Sequence, residues 1–208
     1  MDGVIVDSEP LHELSFLEVW DELGYGSNHG IHLPDFYGRS DRVVWEAFIE
    51  KHNPTPAIEK LIGLREERLI RMLREQKPLF DGVTDLIQRL AKRYPLGLAS
   101  GSIHRVIDEV LAMKNLRSYF KDITSSEDVS VPKPSPEIFL LSAKRLCVPP
   151  EKCCVIEDTV NGIKAGKAAG MNVIAIPNTF AEVALKDAGV DYIFSSYPEI
   201  DNYFSKNP

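Results

Sequence analysis

Asp2, Gly3, Asp7, Ser8 and Glu9 lie close together at the head of the chain, in the run Met1-Asp2-Gly3-Val4-Ile5-Val6-Asp7-Ser8-Glu9-Pro10. An Asp-x-Asp-Gly run followed by Asp-Ser-Glu suits phosphoryl transfer through an aspartate. The first aspartate attacks phosphorus, and the second, two residues on, handles the proton. Asp2 has the place of the second, and the attacking position falls before Met1. The expectation is a catalytic apparatus whose nucleophile the chain does not show. Asp7 and Ser8 also suit a plainer role as N-cap of the helix that follows.

Four other groups could act on the same chemistry. Ser100-Gly101-Ser102 closes an apolar run, and a hydroxyl with helix N-terminal amides makes an anion site. Simple capping by Ser102 is compatible with that. Lys133 sits between Pro132 and Pro134, where fixed backbone angles hold a cation in place for phosphate. Glu157-Asp158 ends a strand, where two adjacent acids need a cation or hydrogen bonds, and oxygen ligands suit Mg²⁺. Helix capping by Asp158 or Thr159 is the structural alternative. His12, Arg39 and Arg42 could reach a substrate, or could be a helix histidine and surface ion-pair partners.

These groups need strands and helices to hold them. Apolar runs at Leu96–Ser100, Cys153–Ile156, Asn172–Ile176 and Tyr192–Phe194, with a weaker one at Asp122–Ser125, predict strands. Ile103–Met113, Pro136–Leu146, Asn161–Ala169 and Ala181–Ala188 predict helices between them, with Ser135 as an N-cap. Alternation of this kind implies a parallel sheet covered on both faces. Its ligand groups belong at the strand C-termini. Residues 12–79 differ. They read as helices only, at Leu11–Leu23, Asp41–His52 and Ala57–Glu75, separated by Gly- and Pro-containing breaks. The expected division is therefore 1–11 with 80–208 as an α/β core, and 12–79 as a helical insert.

The 208 residues are 44% hydrophobic and 26% charged, with a formal net charge of -7. That acidity argues against non-specific nucleic-acid or anionic-membrane binding. No apolar run approaches the ~20 residues of a membrane span, and no leader pattern is visible. The cysteines, Cys147, Cys153 and Cys154, are odd in number, and the adjacent pair reads as buried strand. A cytoplasmic location and a monomer are expected.

Taken together, the chain resembles the haloacid dehalogenase superfamily, in the branch of β-phosphoglucomutase and small sugar-phosphate phosphatases. Four motifs carry the resemblance: Asp2–His12, Leu98–Ser102, Val131–Phe139 and Val155–Gly166. It implies a doubly wound parallel sheet with a helical cap inserted after the first motif, and a first core strand absent along with the nucleophile. It implies Mg²⁺ as cofactor, held by Asp2, Glu157 and Asp158. Asp2 would be general acid/base. Ser100, Gly101 and Lys133 would bind phosphate, with Lys133 also offsetting transition-state charge. His12, Arg39 and Arg42 would serve the cap. The implied activity is hydrolysis of a small phosphorylated metabolite, with a phosphomutase or a non-catalytic binding remnant as alternatives.

Overall fold

The computed structural model describes residues 1–37 and 40–207, which form two compact units, Met1–Asp7 with Pro78 onward, and Ser8–Lys77.

The Ser8–Lys77 unit is helical, built on α1 (Glu9–Glu22), α2 (Asp41–His52) and α3 (Ile58–Gln76). In α3, Leu61, Leu69 and Leu73 fall on one stripe at four-residue spacing and are fully buried, as helical periodicity requires. The core is aromatic. Phe16 and Trp45 have ring centroids 5.2 Å apart, and Trp20 and Phe48 5.4 Å. Such tilted and offset pairs add to the burial itself.

The second unit alternates in the order α4 (Val83–Ala91), β1 (Leu96–Ala99), α5 (His104–Ala112), β2 (Phe120–Thr124), α6 (Glu137–Leu146), β3 (Cys154–Glu157), α7 (Val160–Ala168), β4 (Asn172–Ala175), α8 (Glu182–Asp187), β5 (Tyr192–Ile193) and α9 (Tyr197–Lys206). All pairings among named strands are parallel. The strands fall into two sheets, β1-β2 and β3-β4-β5, rather than one. Two helices, α4 and α9, lie outside the elements expected from the sequence. The Val83, Leu86, Ile87 and Leu90 spacing of α4 is nonetheless amphipathic, and all four are buried. Gly97 in β1 lets α6 approach: a Cβ there would stand 2.5 Å from Ser142 Oγ and 3.0 Å from Leu146 Cδ1.

The two sheets leave a cavity of about 610 Å³ lined along both β1 and β3. Its walls include Met1, Ile5, Leu86, Leu90 and Phe139. This explains a departure from expectation. Cys154, read as buried, is exposed, and Cys153 is half-buried, because both line this cavity.

Met1–Asp7 does not continue as a strand. The Met1 carbonyl accepts N–H bonds from Val4, Ile5 and Val6 at 2.7–3.3 Å, folding the segment into a tight turn. Val6 then bridges Leu79, and the Asp7 N–H donates to Pro78 O at 2.8 Å.

Candidate active site

The α/β unit gathers its polar groups where β1 and β3 end. The Ser102 hydroxyl donates to Asp2 Oδ2 at 2.8 Å, tying the β1 terminus to the head of the chain. Ser100 is buried; its N–H donates to Thr124 O at 3.0 Å, and its Oγ accepts the Ser102 N–H at 3.1 Å. The Ser100 O–H proton can then serve an anion. Gly101 is exposed, with open space where a Cβ would be. The helix behind it contributes less than expected. α5 begins only at His104, and that N–H is already bound by Glu127 Oε2 at 2.7 Å.

Lys133 and Glu157 form the charged centre. Lys133 Nζ lies 2.5 Å from Glu157 Oε1, with side chains 16% and 8% exposed, so water screens the pair little. The ammonium also stands 4.6 Å from the Phe139 ring centroid. The Pro132 carbonyl accepts the Ser135 N–H at 3.0 Å, and the Lys133–Pro134 peptide bond is cis. Glu157 Oε2 accepts the N–H groups of Asp158 and Thr159 at 3.0 and 3.1 Å, and the Thr159 hydroxyl at 3.0 Å. Burial pushes the Glu157 carboxyl up, but Lys133, by its charge and its hydrogen bond, and the Thr159 backbone N–H outweigh it and hold it below the usual range. Thr159 Oγ1 in turn caps α7 by accepting the Gly162 N–H at 3.0 Å.

Asp158 is buried beside Gly3, and the Thr179 hydroxyl donates to its Oδ2. Gly3 has φ +66, and a Cβ there would run into the Asp158 carboxylate, so only glycine fits. The Asn178 side chain donates to Gly3 O at 2.8 Å and fixes this approach. Burial, then the neighbouring Glu157 charge, pushes the Asp158 carboxyl well up. Thr179 and Asn178 were not legible as site residues, since neither belongs to a recognisable motif.

Among the described residues no three His, Cys, Asp or Glu side chains converge as a metal cluster. Magnesium does not need one, because it takes one or two carboxylates and keeps several waters. Two adjacent buried carboxyls, Glu157 and Asp158, lie beside a single lysine in this network. A hard cation at Asp158 suits that imbalance, so the donor set fits Mg²⁺.

His12 and Arg42 belong to the helical unit, and Arg39 lies outside the described residues. Arg42 pairs with Glu59 at 3.6 Å on an exposed face, the bland role open to it. His12 has a partner the sequence reading missed. Arg65 is 2% exposed, donates to Asp41 Oδ2, contacts His12 Nδ1, and lies 4.8 Å from the Phe16 ring centroid. An arginine four residues after Leu61 and four before Leu69, on an apolar stripe, was the available signal.

A haloacid dehalogenase-like hydrolase family description matches residues 1–176. The chain belongs to that family. Hexitol phosphatase B of Escherichia coli (strain K12) is 36% identical over 207 residues, 96% of this chain and 91% of that protein. Fructose-1-phosphate phosphatase YqaB of the same organism is 32% identical over 178 residues, 85% of this chain and 93% of the relative. Among solved structures, CbbY from Rhodobacter sphaeroides in complex with phosphate gives a TM-score of 0.82 at 26% identity, covering 96% and 93% of the two chains. The expected family and α/β architecture are thereby borne out. No helix of the described residues is long and apolar enough to cross a membrane.

Proposed function

We propose that the site serves Mg²⁺-dependent hydrolysis of a small phosphorylated sugar through an aspartyl-phosphate. The observation that carries this reading is the buried Lys133–Glu157–Asp158 group beside Gly3 and Asp2. The sugar-phosphate phosphatases among the relatives support the substrate class.

The chemistry divides as follows. A carboxylate two positions before Asp2 attacks phosphorus while the phosphate–sugar P–O bond breaks. Asp2 gives its proton to the departing sugar oxygen. It then takes a proton from the water that hydrolyses the acyl-phosphate, releasing phosphate and restoring both carboxyls. Lys133 and the Ser100 hydroxyl hold the phosphoryl oxygens, and Lys133 offsets charge that grows in the transition state. Asp158 and Asp2 would hold magnesium, which supplies further charge neutralisation. Glu157, whose oxygens already accept from Lys133, Asp158 and Thr159, orients the group. His12, Arg39 and Arg42, in the helical segment, carry substrate choice in this reading.

Extending the chain before Met1 by an apolar strand ending in Asp is expected to release phosphate from hexose phosphates. Asp2→Asn in the extended protein then lowers kcat by about 10²–10⁴-fold. Isomerised sugar phosphate without free phosphate would replace hydrolysis by a mutase. An extended, folded protein that binds phosphate and turns over nothing would leave a binding module.

A further inference from the structure

Two loops of the α/β unit lie side by side, and they differ in firmness. Ser100–Ile103, between β1 and α5, supplies little of its own shape. Gly101 at its middle is exposed with open space around it, and Ile103, at the N-cap place of α5, has no side-chain oxygen for the first helical amides. Ser125–Asp128, after β2, closes on itself. The Ser125 hydroxyl accepts the Glu127 N–H at 3.0 Å, and Asp128 Oδ2 accepts the Ser125 N–H at 2.8 Å, a reciprocal pair. Thr124 and Ser125 beneath it are fully buried.

The firm loop is braced from behind. Asp122 Oδ2 accepts the hydroxyls of Thr124 and Ser142 at 2.8 and 2.7 Å. Arg145 of α6 reaches Thr124 Oγ1 through Nη1 and Asp128 Oδ1 through Nη2, both at 3.2 Å. This loop then grips the other one along its length. The Ser100 N–H donates to Thr124 O at 3.0 Å, and the Ser126 N–H to Ser102 O at 3.2 Å. Glu127 Oε2 accepts the His104 N–H at 2.7 Å, giving α5 from outside the cap that Ile103 lacks. Asp128 Oδ2 pairs with His104 Nε2 at 2.9 Å.

We propose that Glu127 and Asp128 are positioning residues for the phosphate-holding loop, with the Ser125–Asp128 turn as the mould that sets Ser100 and Ser102 in place. This rests on the reading of Ser100 as a phosphate ligand. Neither acid meets the phosphate: their oxygens are engaged by Ser125, His104 and Arg145. They act on where the serines point. Ser102 carries that effect to two groups, because its N–H donates to Ser100 Oγ at 3.1 Å and its hydroxyl to Asp2 Oδ2 at 2.8 Å. A loop that drifts therefore misplaces a phosphate donor and the general acid together. The carboxylate of Glu127 works here as a hydrogen-bond acceptor. Its negative charge does nothing for an anion site, so a neutral acceptor of the same shape should serve as well.

The test compares Glu127→Ala with Glu127→Gln, whose amide oxygen still accepts the His104 N–H. Amide exchange is read at Ser100, Ser102 and His104, with the wholly buried Val173, Ile174 and Ala175 of β4 as internal reference. Affinity for inorganic phosphate is read in the presence of Mg²⁺. Glu127→Ala is expected to speed exchange at all three loop amides about fivefold, the equivalent of a lost cap, and to weaken phosphate by a similar factor. The β4 amides stay unchanged, and Glu127→Gln stays within about twofold of the parent. In a Ser100→Ala background Glu127→Ala should weaken phosphate no further, because it acts through that loop. Faster exchange at His104 alone overturns the proposal, since the loop then keeps its shape without the clamp. Equal loosening of β4, a Gln variant as loose as the Ala variant, or additive losses in the double variant also overturn it. Failure of the hydrolase reading shows differently. A parent that binds no phosphate removes Ser100 as a phosphate ligand, while exchange at Ser100 and Ser102 still decides whether the mould holds the loop.

Discussion

The helical unit, Ser8–Lys77, and the α/β unit meet the same physical demands with unequal success. In the helical unit Trp20, Trp45, Phe48 and Leu61 are wholly buried. In the α/β unit two strands stand beside a cavity of about 610 Å³. A helix satisfies its backbone internally and asks its neighbours only for side-chain packing. A strand needs a backbone partner on each edge. A helical segment can therefore close on itself, whereas a sheet depends on every strand being present. The α/β unit also holds the buried carboxyls Glu157 and Asp158 at the end of β3, so its chemistry rests on the less completely packed of the two.

Both tryptophans lie in the helical unit, so intrinsic tryptophan fluorescence reports on it alone. The largest expected effect exploits this. Trp45→Ala removes a fully buried ring in contact with Phe16 and Phe48, and is expected to cost about 4 kcal/mol. Denaturant curves should show the Trp20 fluorescence transition moving to lower urea, while amide exchange in β3 and β4 stays put. Equal loosening of β3 and β4 would erase the contrast between the units.

The next effect belongs to the α/β unit. Lys133→Met leaves Glu157 buried without its cation, at a cost of about 3 kcal/mol. The double variant with Glu157→Gln should recover most of that, since no buried charge is then left alone. Amide exchange in β3 measures both, with Trp fluorescence unmoved. A double variant as unstable as the single one would show that Lys133 stabilises by packing on Phe139 rather than by charge.

The same contrast sets what the sequence disclosed. α2 was read at Asp41–His52, as observed, because amphipathic periodicity is local information. The motif at Val155–Gly166 placed Glu157 and Asp158 at a buried strand end, and Thr159 caps α7 as one of its expected roles. Cys154 was misread because a continuous apolar run implies burial only when strands flank it on both sides. Nothing local reports the neighbour. Arg65 was missed for a related reason: its burial depends on Asp41 and Phe16, 24 and 49 positions away. α9 begins with Tyr197-Pro198 and packs against α4 through a contact remote in sequence, which local periodicity did not reveal.

A smaller effect probes charge away from the cavity. Asp128 accepts the Ser125 N–H at 2.8 Å and pairs with Arg145 at 3.2 Å and His104 at 2.9 Å. The backbone bond leads, and with Arg145 it holds the Asp128 carboxyl down at about 2. A depressed carboxyl stabilises the fold above its unfolded value near 4, and loses that contribution as pH falls through the folded value. With its 20% exposure discounting the pair, Asp128 is expected to supply about 1–2 kcal/mol at neutral pH. Asp128→Asn should flatten that share of the stability profile between pH 4 and pH 2. An unchanged acid limb would mean that the Ser125 cap holds without charge.

The smallest effect separates the two roles of Thr159. Its Oγ1 accepts the Gly162 N–H as the cap of α7, and its O–H donates to Glu157 Oε2. Thr159→Ala removes both, and capping losses of this type run to about 1 kcal/mol. Glu157 keeps the Lys133 bond and two backbone N–H groups, so its charge stays compensated and the cost should not approach that of Lys133→Met. Thr159→Ser retains the hydroxyl and should lie within about 0.5 kcal/mol of the parent. If Thr159→Ala instead matches Lys133→Met, the threonine hydroxyl does as much as the lysine to keep Glu157 ionised, and the charged centre of the α/β unit would have to be redrawn to include the α7 N-terminus.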